Sequence, residues 1–311
     1  MMKDTNKINP LLCDPVTGVC EIPGIAGNPE KQMISTSTKA IKIIYFTDPI
    51  CSTCWGIEPQ LRKLKLEYGD LIEIDYRMGG LLPSWDIYNS GGIGKPSDVA
   101  HHWDEVSAYY DAPIDGDVWL EDPLSSSFPP SIAFKAAQMQ DTEKAVSFLR
   151  ISREMLFLEK KNITRWEHIE RAALEAGLDP LQLKTDYEGK AAQLFKEDLE
   201  LARQMGVRGF PSLFFSDASN KQVFVYGYKP YAVYEKAILE LLPEAEKQQA
   251  DTTWEGLFKH YSSLFTKEFS VLSNKTTAVA EEELNNLYSQ QKLEKKVTKN
   301  GILWTLRSAG Q

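Results

Sequence analysis

The chain has 311 residues, a formal net charge of −9, and 42% hydrophobic and 25% charged residues, the balance of a soluble globular protein with room for one domain plus an appendage or for two domains. Its acidity argues against a general nucleic-acid or anionic-membrane binder. No apolar run of eighteen residues is present to span a bilayer, and Met1-Met2-Lys3-Asp4-Thr5-Asn6-Lys7 lacks the apolar core of a secretory signal, so a cytoplasmic location is expected.

Residues 1 to 39 hold Pro10, Pro15, Pro23 and Pro29 among Gly, Asn and Ser, and read as an extended arm. Within it Cys13 and Cys20 face each other across a turn-rich loop. Spacing alone leaves three readings open: a second redox pair, a shared metal site, or two unpaired thiols. Ile41 to Phe46 is β-branched, apolar or aromatic at all but one position, which predicts a strand buried on both faces. Asp48-Pro49 ends it. From Cys51-Ser52-Thr53-Cys54-Trp55 onward the spacing becomes helical, with Pro59 expected to kink the first turns.

A thiol at a helix start meets unpaired backbone N–H groups and the positive end of the helix dipole, which favours its thiolate. Cys51 is therefore expected to be an exposed nucleophile, with Cys54 one turn deeper as the resolving thiol. Half of a zinc site, or two core cysteines, are the competing readings; the strand-turn-helix context favours redox chemistry, and no metal is assigned.

Leu71 to Met78 predicts a second strand, broken by Gly79-Gly80, and the Gly-rich loop through Pro96 carries no phosphate-binding signature. Helical signals run from Ser97 to Met205: Thr164-x-x-Glu167 as a capping box, Asp179-Pro180 as N-cap and first-turn proline, Gly177 and Gly206 as C-caps. His101-His102 is expected on a solvated helix face, not at a metal. A strand from Phe210 to Phe215, a turn at Asp217 to Asn220, a return strand to Tyr226 and a helix from Tyr231 to Leu242 follow.

Glu244 to Asp251 reads as a linker. Beyond it, one amphipathic helix is expected over Trp254 to Phe265, another over Glu281 to Gln291, then a hairpin turning at Asn300-Gly301. This helix-helix-hairpin outline is winged-helix-like. With Glu281, Glu282 and Glu283 against Lys275 and Lys292, it suits protein docking, self-association or packing on the main domain better than DNA.

The strand, the Cys51-x-x-Cys54 pair at a helix start, the helical stretch and Gly206-Val207-Arg208-Gly209-Phe210-Pro211-Ser212 together resemble the DsbA-like branch of the thioredoxin superfamily, over about residues 40 to 245. Asp48-Pro49-Ile50-Cys51-Ser52-Thr53-Cys54-Trp55-Gly56 and Gly79-Gly80-Leu81 are most similar to a cytoplasmic subgroup containing FrnE-like isomerases and SpxH-like adaptors of the ClpXP protease. The resemblance implies an α/β fold with a thioredoxin-like mixed sheet, its core formed by 40–96 and 207–245, a helical insertion at 97–206, the arm at 1–39 and the winged-helix-like module at 252–311. It further implies a cis bond at Pro211 beside the cysteines, Phe210 and Pro211 holding an extended substrate, and Trp55 lining its groove.

The activity so implied is a thiol-disulfide oxidoreductase or isomerase acting on protein or peptide thiols and disulfides, without an organic cofactor. Ser52-Thr53 lacks the basic residue of strongly oxidising relatives, and Asp48 adds negative charge nearby, so a mild oxidant or a reductant is expected. The alternative is an SpxH-like adaptor that delivers a protein client, with the C-terminal module as added docking surface.

Overall fold

The computed structural model describes residues 39–87 and 94–307, together with the backbone of Cys20–Glu21, which forms strand β1. Ile41–Thr47 is β2, buried at nearly every position, as a strand covered on both faces must be. It runs parallel to β3 (Ile72–Met78), with Ile43 opposite Ile74. Of two further strands, β4 (Gly209–Phe210) stands outside the main sheet and pairs with β1, whereas β5 (Ser212–Asp217) lies antiparallel to β2 with Phe46 opposite Ser212. Strand β6 (Gln222–Tyr226) completes a four-stranded mixed sheet in the order β3-β2-β5-β6.

Two helices follow β2, α1 (Ser52–Gly56) and α2 (Glu58–Tyr68). Rather than one kinked helix, the chain stops at Ile57 and restarts, with Pro59 in the new first turn, where its missing N–H costs nothing. Between β3 and β4 lie α3 (Ser97–Tyr110), α4 (Val118–Glu121), α5 (Phe128–Gln140), α6 (Thr142–Glu159), α7 (Trp166–Glu175), α8 (Pro180–Glu188) and α9 (Ala191–Gln204). Asp179 caps α8 through Leu181 and Gln182 N–H, and Gly177 and Gly206 take the left-handed backbone that a C-cap needs. The expected capping box at Thr164 is absent. The Asn162 side chain accepts both the Thr164 N–H and its hydroxyl, and α7 starts at Trp166 without a side-chain cap.

Helix α9 is tied to β3 by Asp198, a fully buried carboxylate that accepts from Arg77, Lys135 and the Met78 N–H. Helix α10 (Tyr231–Leu241) packs on the strands β5 and β6.

After the linker come α11 (Trp254–His260), β7 (Ser263–Phe265), α12 (Thr266–Leu272), α13 (Thr277–Ser289), β8 (Leu293–Thr298) and β9 (Gly301–Leu306), with sheet order β7-β9-β8. Two expectations are corrected here. The helix predicted through Phe265 ends at His260, because Ser263–Phe265 pairs with β9, Leu264 opposite Trp304. The hairpin loop is Lys299-Asn300, one residue earlier than predicted, since Thr298 pairs with Gly301. Contacts to the insertion set that register: Asn300 Nδ2 donates to Asp104 and to the Ile114 carbonyl, while Lys299 pairs with Asp104 and Asp117. The unit also has its own small core around Leu257, Phe269, Leu284 and Trp304, which Leu66 of α2 joins.

Candidate functional site at the Cys51–Cys54 disulfide

The chain leaves β2 through Asp48 and reaches α1 in four residues. Cys51 is the N-cap of α1, its sulfur accepting the Cys54 N–H at 3.1 Å, and the two cysteines are joined as a disulfide. The turn before it is clasped by Asp48, whose carboxylate accepts the N–H groups of Ile50 (3.1 Å) and Leu81 (2.7 Å) and the Ser127 hydroxyl (2.9 Å). Burial pushes this carboxyl up to about 6, and these three hydrogen bonds and the Arg153 charge only partly offset the shift. The fully buried Arg153 guanidinium donates to the Asp48 carbonyl, to Thr47 Oγ1 and to Glu58, locking α6 against the same turn.

Pro211 sits at the same end of the sheet. Extending the register Phe46–Ser212 places it beside Thr47, and its carbonyl accepts the Gly227 N–H. The Phe210–Pro211 peptide is cis. Phe210 is fully buried, its ring against Gly79, where an added Cβ would lie 1.7 Å from Cζ. Replacing Gly79 with alanine therefore overpacks this joint, and a loss of about 1–3 kcal/mol is expected in urea unfolding; an unchanged midpoint would show that the ring moves aside freely.

The placement departs from the expected exposed thiol, for Cys51 and Cys54 are each 0% exposed. Trp55, expected in a groove wall, is also buried. Its indole donates to the Pro113 carbonyl and stacks between Phe157, Phe265 and the Arg150 guanidinium, 4.3 Å from the ring centroid. The C-terminal unit thus packs against the back of the cysteine helix. A cavity of about 450 Å³ opens nearby, lined by Glu58, Lys65, Tyr76, Arg150 and Tyr261 among others, but neither cysteine lines it. Of the adjacent histidines, His101 is exposed as expected and His102 is buried in the α3 interface. Cys13 lies outside the described residues, and Cys20 is described only as a residue of β1. No group of three or more His, Cys, Asp or Glu residues able to hold a metal occurs among the described residues.

A thioredoxin family model matches residues 45–236. The ClpXP adapter protein SpxH of Halalkalibacterium halodurans is 34% identical over 297 residues, covering 94% of this chain and 96% of its own length. The chain belongs to the SpxH family. SpxH of Shouchella clausii is 31% identical, with 94% of this chain and 95% of that protein covered. Among solved structures, the cytosolic disulfide reductase DsbM from Pseudomonas aeruginosa is similar at a TM-score of 0.52 and 19% identity, covering 64% of this chain and 99% of that one. That likeness shows the fold: a DsbA-like thioredoxin architecture with a helical insertion.

Within this SpxH-family chain, residues that sequence reasoning passed over hold the site together. Asp48 was legible as a strand terminator and as a charge near Cys51, but not as the group that joins three segments; Ser127 and Arg153, far away in sequence, carried no local signal at all. Tyr110 closes the other side, its hydroxyl 3.0 Å from Thr53 Oγ1 and its ring against Tyr228. No helix among the described residues is long and apolar enough to cross a membrane.

Proposed function

We propose that this chain is a cytoplasmic adaptor that presents a protein client to the ClpXP protease, with the thioredoxin-like body and the docked C-terminal unit as its working surface. The observation that carries this reading is the extent of the likeness. Two SpxH adapters each match 94% of the chain, whereas the disulfide reductase fold accounts for 64%. Complete burial of both cysteines supports it too, since a protein substrate needs open access to the attacking sulfur.

The cysteine pair at a helix start, at the end of the sheet that also carries Pro211, favours a second activity, thiol-disulfide exchange with protein thiols. In the reduced chain the Cys51 thiolate attacks a client disulfide, forming a mixed disulfide and expelling one client thiolate. Cys54 then attacks the Cys51 sulfur, releasing the second thiolate, and two electrons have passed to the client.

The test combines purified chain, ClpXP and a client recovered on the immobilised chain. Client degradation should accelerate when the chain is added, and a rate unchanged by it removes the adaptor reading. Cys51→Ser should abolish reduction of a model protein disulfide while client capture persists; wild-type chain without any exchange activity would leave the adaptor role alone.

A further inference from the structure

We infer that the cavity where the thioredoxin-like core, the insertion and the C-terminal unit meet is a binding site for a small organic monocarboxylate, anchored on the Lys65 ammonium. Its volume of about 450 Å³ falls within the range of small-molecule sites. Helix α2, Tyr76 of β3, helices α6 and α7, and the segment 260–262 between α11 and β7 all contribute to its walls.

Charge decides what this space can take. Each carboxylate of the lining already holds an arginine: Glu58 holds Arg153 at 2.6 Å, Glu154 holds Arg150 at 2.6 Å, and Glu175 holds Arg171 at 2.7 Å. The two lining arginines are matched as well, since Arg62 and Arg150 both meet the buried Glu268. His260, also on the lining, is exposed, so solvent and salt screen it.

Lys65 is different. Its ammonium lies 5.1 Å from the centroid of the Tyr76 ring and has no hydrogen-bond or ion-pair partner among the described residues. The Tyr76 hydroxyl has no hydrogen-bond partner among them either. Burial holds the Lys65 ammonium below the usual lysine range, by more than the attraction of Glu58 offsets, so solvent in the cavity does not fully replace a counter-charge. A carboxylate seated there would accept from the ammonium and give the Tyr76 hydroxyl an acceptor.

One unmatched positive charge calls for one negative charge on the ligand. A second would face the wall carboxylates Glu58 and Glu154 without a cation left to meet it. Leu61, Leu149 and Tyr261 supply apolar surface for the body of the ligand, which selects an aliphatic or aryl acid over inorganic phosphate. Because all three parts of the molecule line the cavity, a bound acid would also tighten the C-terminal unit on the body.

The test is calorimetric titration of the full-length chain with butyrate, hexanoate and phenylacetate, with phenylacetamide as the uncharged and phenyl phosphate as the dianionic counterpart. At least one of the acids should bind saturably at a single site. Lys65→Met, which keeps the stem and removes the charge, should weaken that binding at least about tenfold. Ser147→Trp, at an exposed position of the lining, should block the cavity with the ammonium still in place and serves should Lys65→Met disturb folding. Bound acid should also slow acylation of Lys65 by an amine-reactive ester, mapped by mass spectrometry, while the exposed Lys196 reacts as before. Neither ClpXP nor a client takes part, so the outcome is separate from that of the adaptor reading. No saturable binding of any of these acids, equal binding of phenylacetamide, tighter binding of phenyl phosphate, or wild-type affinity in both variants overturns the inference.

Discussion

Glu268→Ala should cost the chain about 3–5 kcal/mol, the penalty for removing one partner of a buried ion pair. Glu268 is wholly buried at the start of α12, where its two oxygens take the Arg150 guanidinium at 2.7 and 2.9 Å, Arg62 Nε lies at 3.3 Å, and the Phe265 N–H donates at 2.9 Å. Alanine leaves two guanidiniums facing each other among Trp55, Phe265 and Tyr261, beside the cavity that both arginines line. Glu154 still accepts from Arg150 Nε at 2.6 Å, and the Ser263 carbonyl from Arg62 at 2.7 Å, so part of the charge remains matched.

The cluster joins three parts of the molecule. Arg62 lies on α2 of the core, Arg150 on α6 of the insertion, and Glu268 in the C-terminal unit. Loss of Glu268 should therefore loosen the C-terminal unit first, and urea unfolding followed by tryptophan fluorescence should broaden as well as shift. Lys296→Ala, which removes a half-exposed pair with Glu159, should change stability by no more than about 1 kcal/mol. If Glu268→Ala proved as mild as Lys296→Ala, water entering from the adjoining cavity would be solvating both guanidiniums, and the cluster would not lock the three parts together.

The second large effect is a pH dependence traced to Asp48. Its folded-state pKa is raised from 3.8 to about 6, chiefly by burial. Between those values the folded chain holds a proton that the unfolded chain has lost. The resulting stabilisation is fully present below 3.8 and is lost as pH rises through about 6, an amount of about 3 kcal/mol. Asp48→Asn has no charge to desolvate, and its stability should lack this fall.

Because other carboxylates titrate in the same range with the opposite sign, among them Glu67 and Glu159, the measurement is the difference between wild type and Asp48→Asn in denaturation midpoint from pH 4 to 7. The wild type should lose ground to the variant as pH rises. A difference that stays constant would mean that the three hydrogen bonds compensate burial in full. Asparagine also sets an NH2 group against either the Leu81 or the Ile50 N–H, which adds a pH-independent cost.

The local grammar of the chain was read from sequence wherever one element is specified by its own neighbours. Ile41–Thr47 emerges as a buried strand because its residues are apolar without alternation, and the α8 start at Asp179-Pro180 and the C-caps at Gly177 and Gly206 follow from side-chain and backbone preferences that act within one turn. Local signals failed where another partner, near or distant in sequence, competed for the same groups. Thr164 has the spacing of a capping box, but Asn162 claims its donors; Tyr261 to Phe265 has helical spacing, but the edge of β9 offers these residues a strand. The turn at Lys299-Asn300 slips by one residue because Asp104, Asp117 and Ile114, nearly two hundred positions earlier, bind its side chains.

The sequence by itself determined that a cysteine pair would open a helix behind a buried strand, because strand burial and helix initiation depend on residues within a few positions. Only the tertiary structure decided that this pair would be sealed, that burial would raise the Asp48 carboxyl to about 6, and that Trp55 would face Arg150 of the insertion and Phe265 of the C-terminal unit. Accessibility and electrostatic environment are sums over everything that packs around a group. Trp55 and Phe265, for one, touch across 210 positions of the chain, beyond the range of any local pattern.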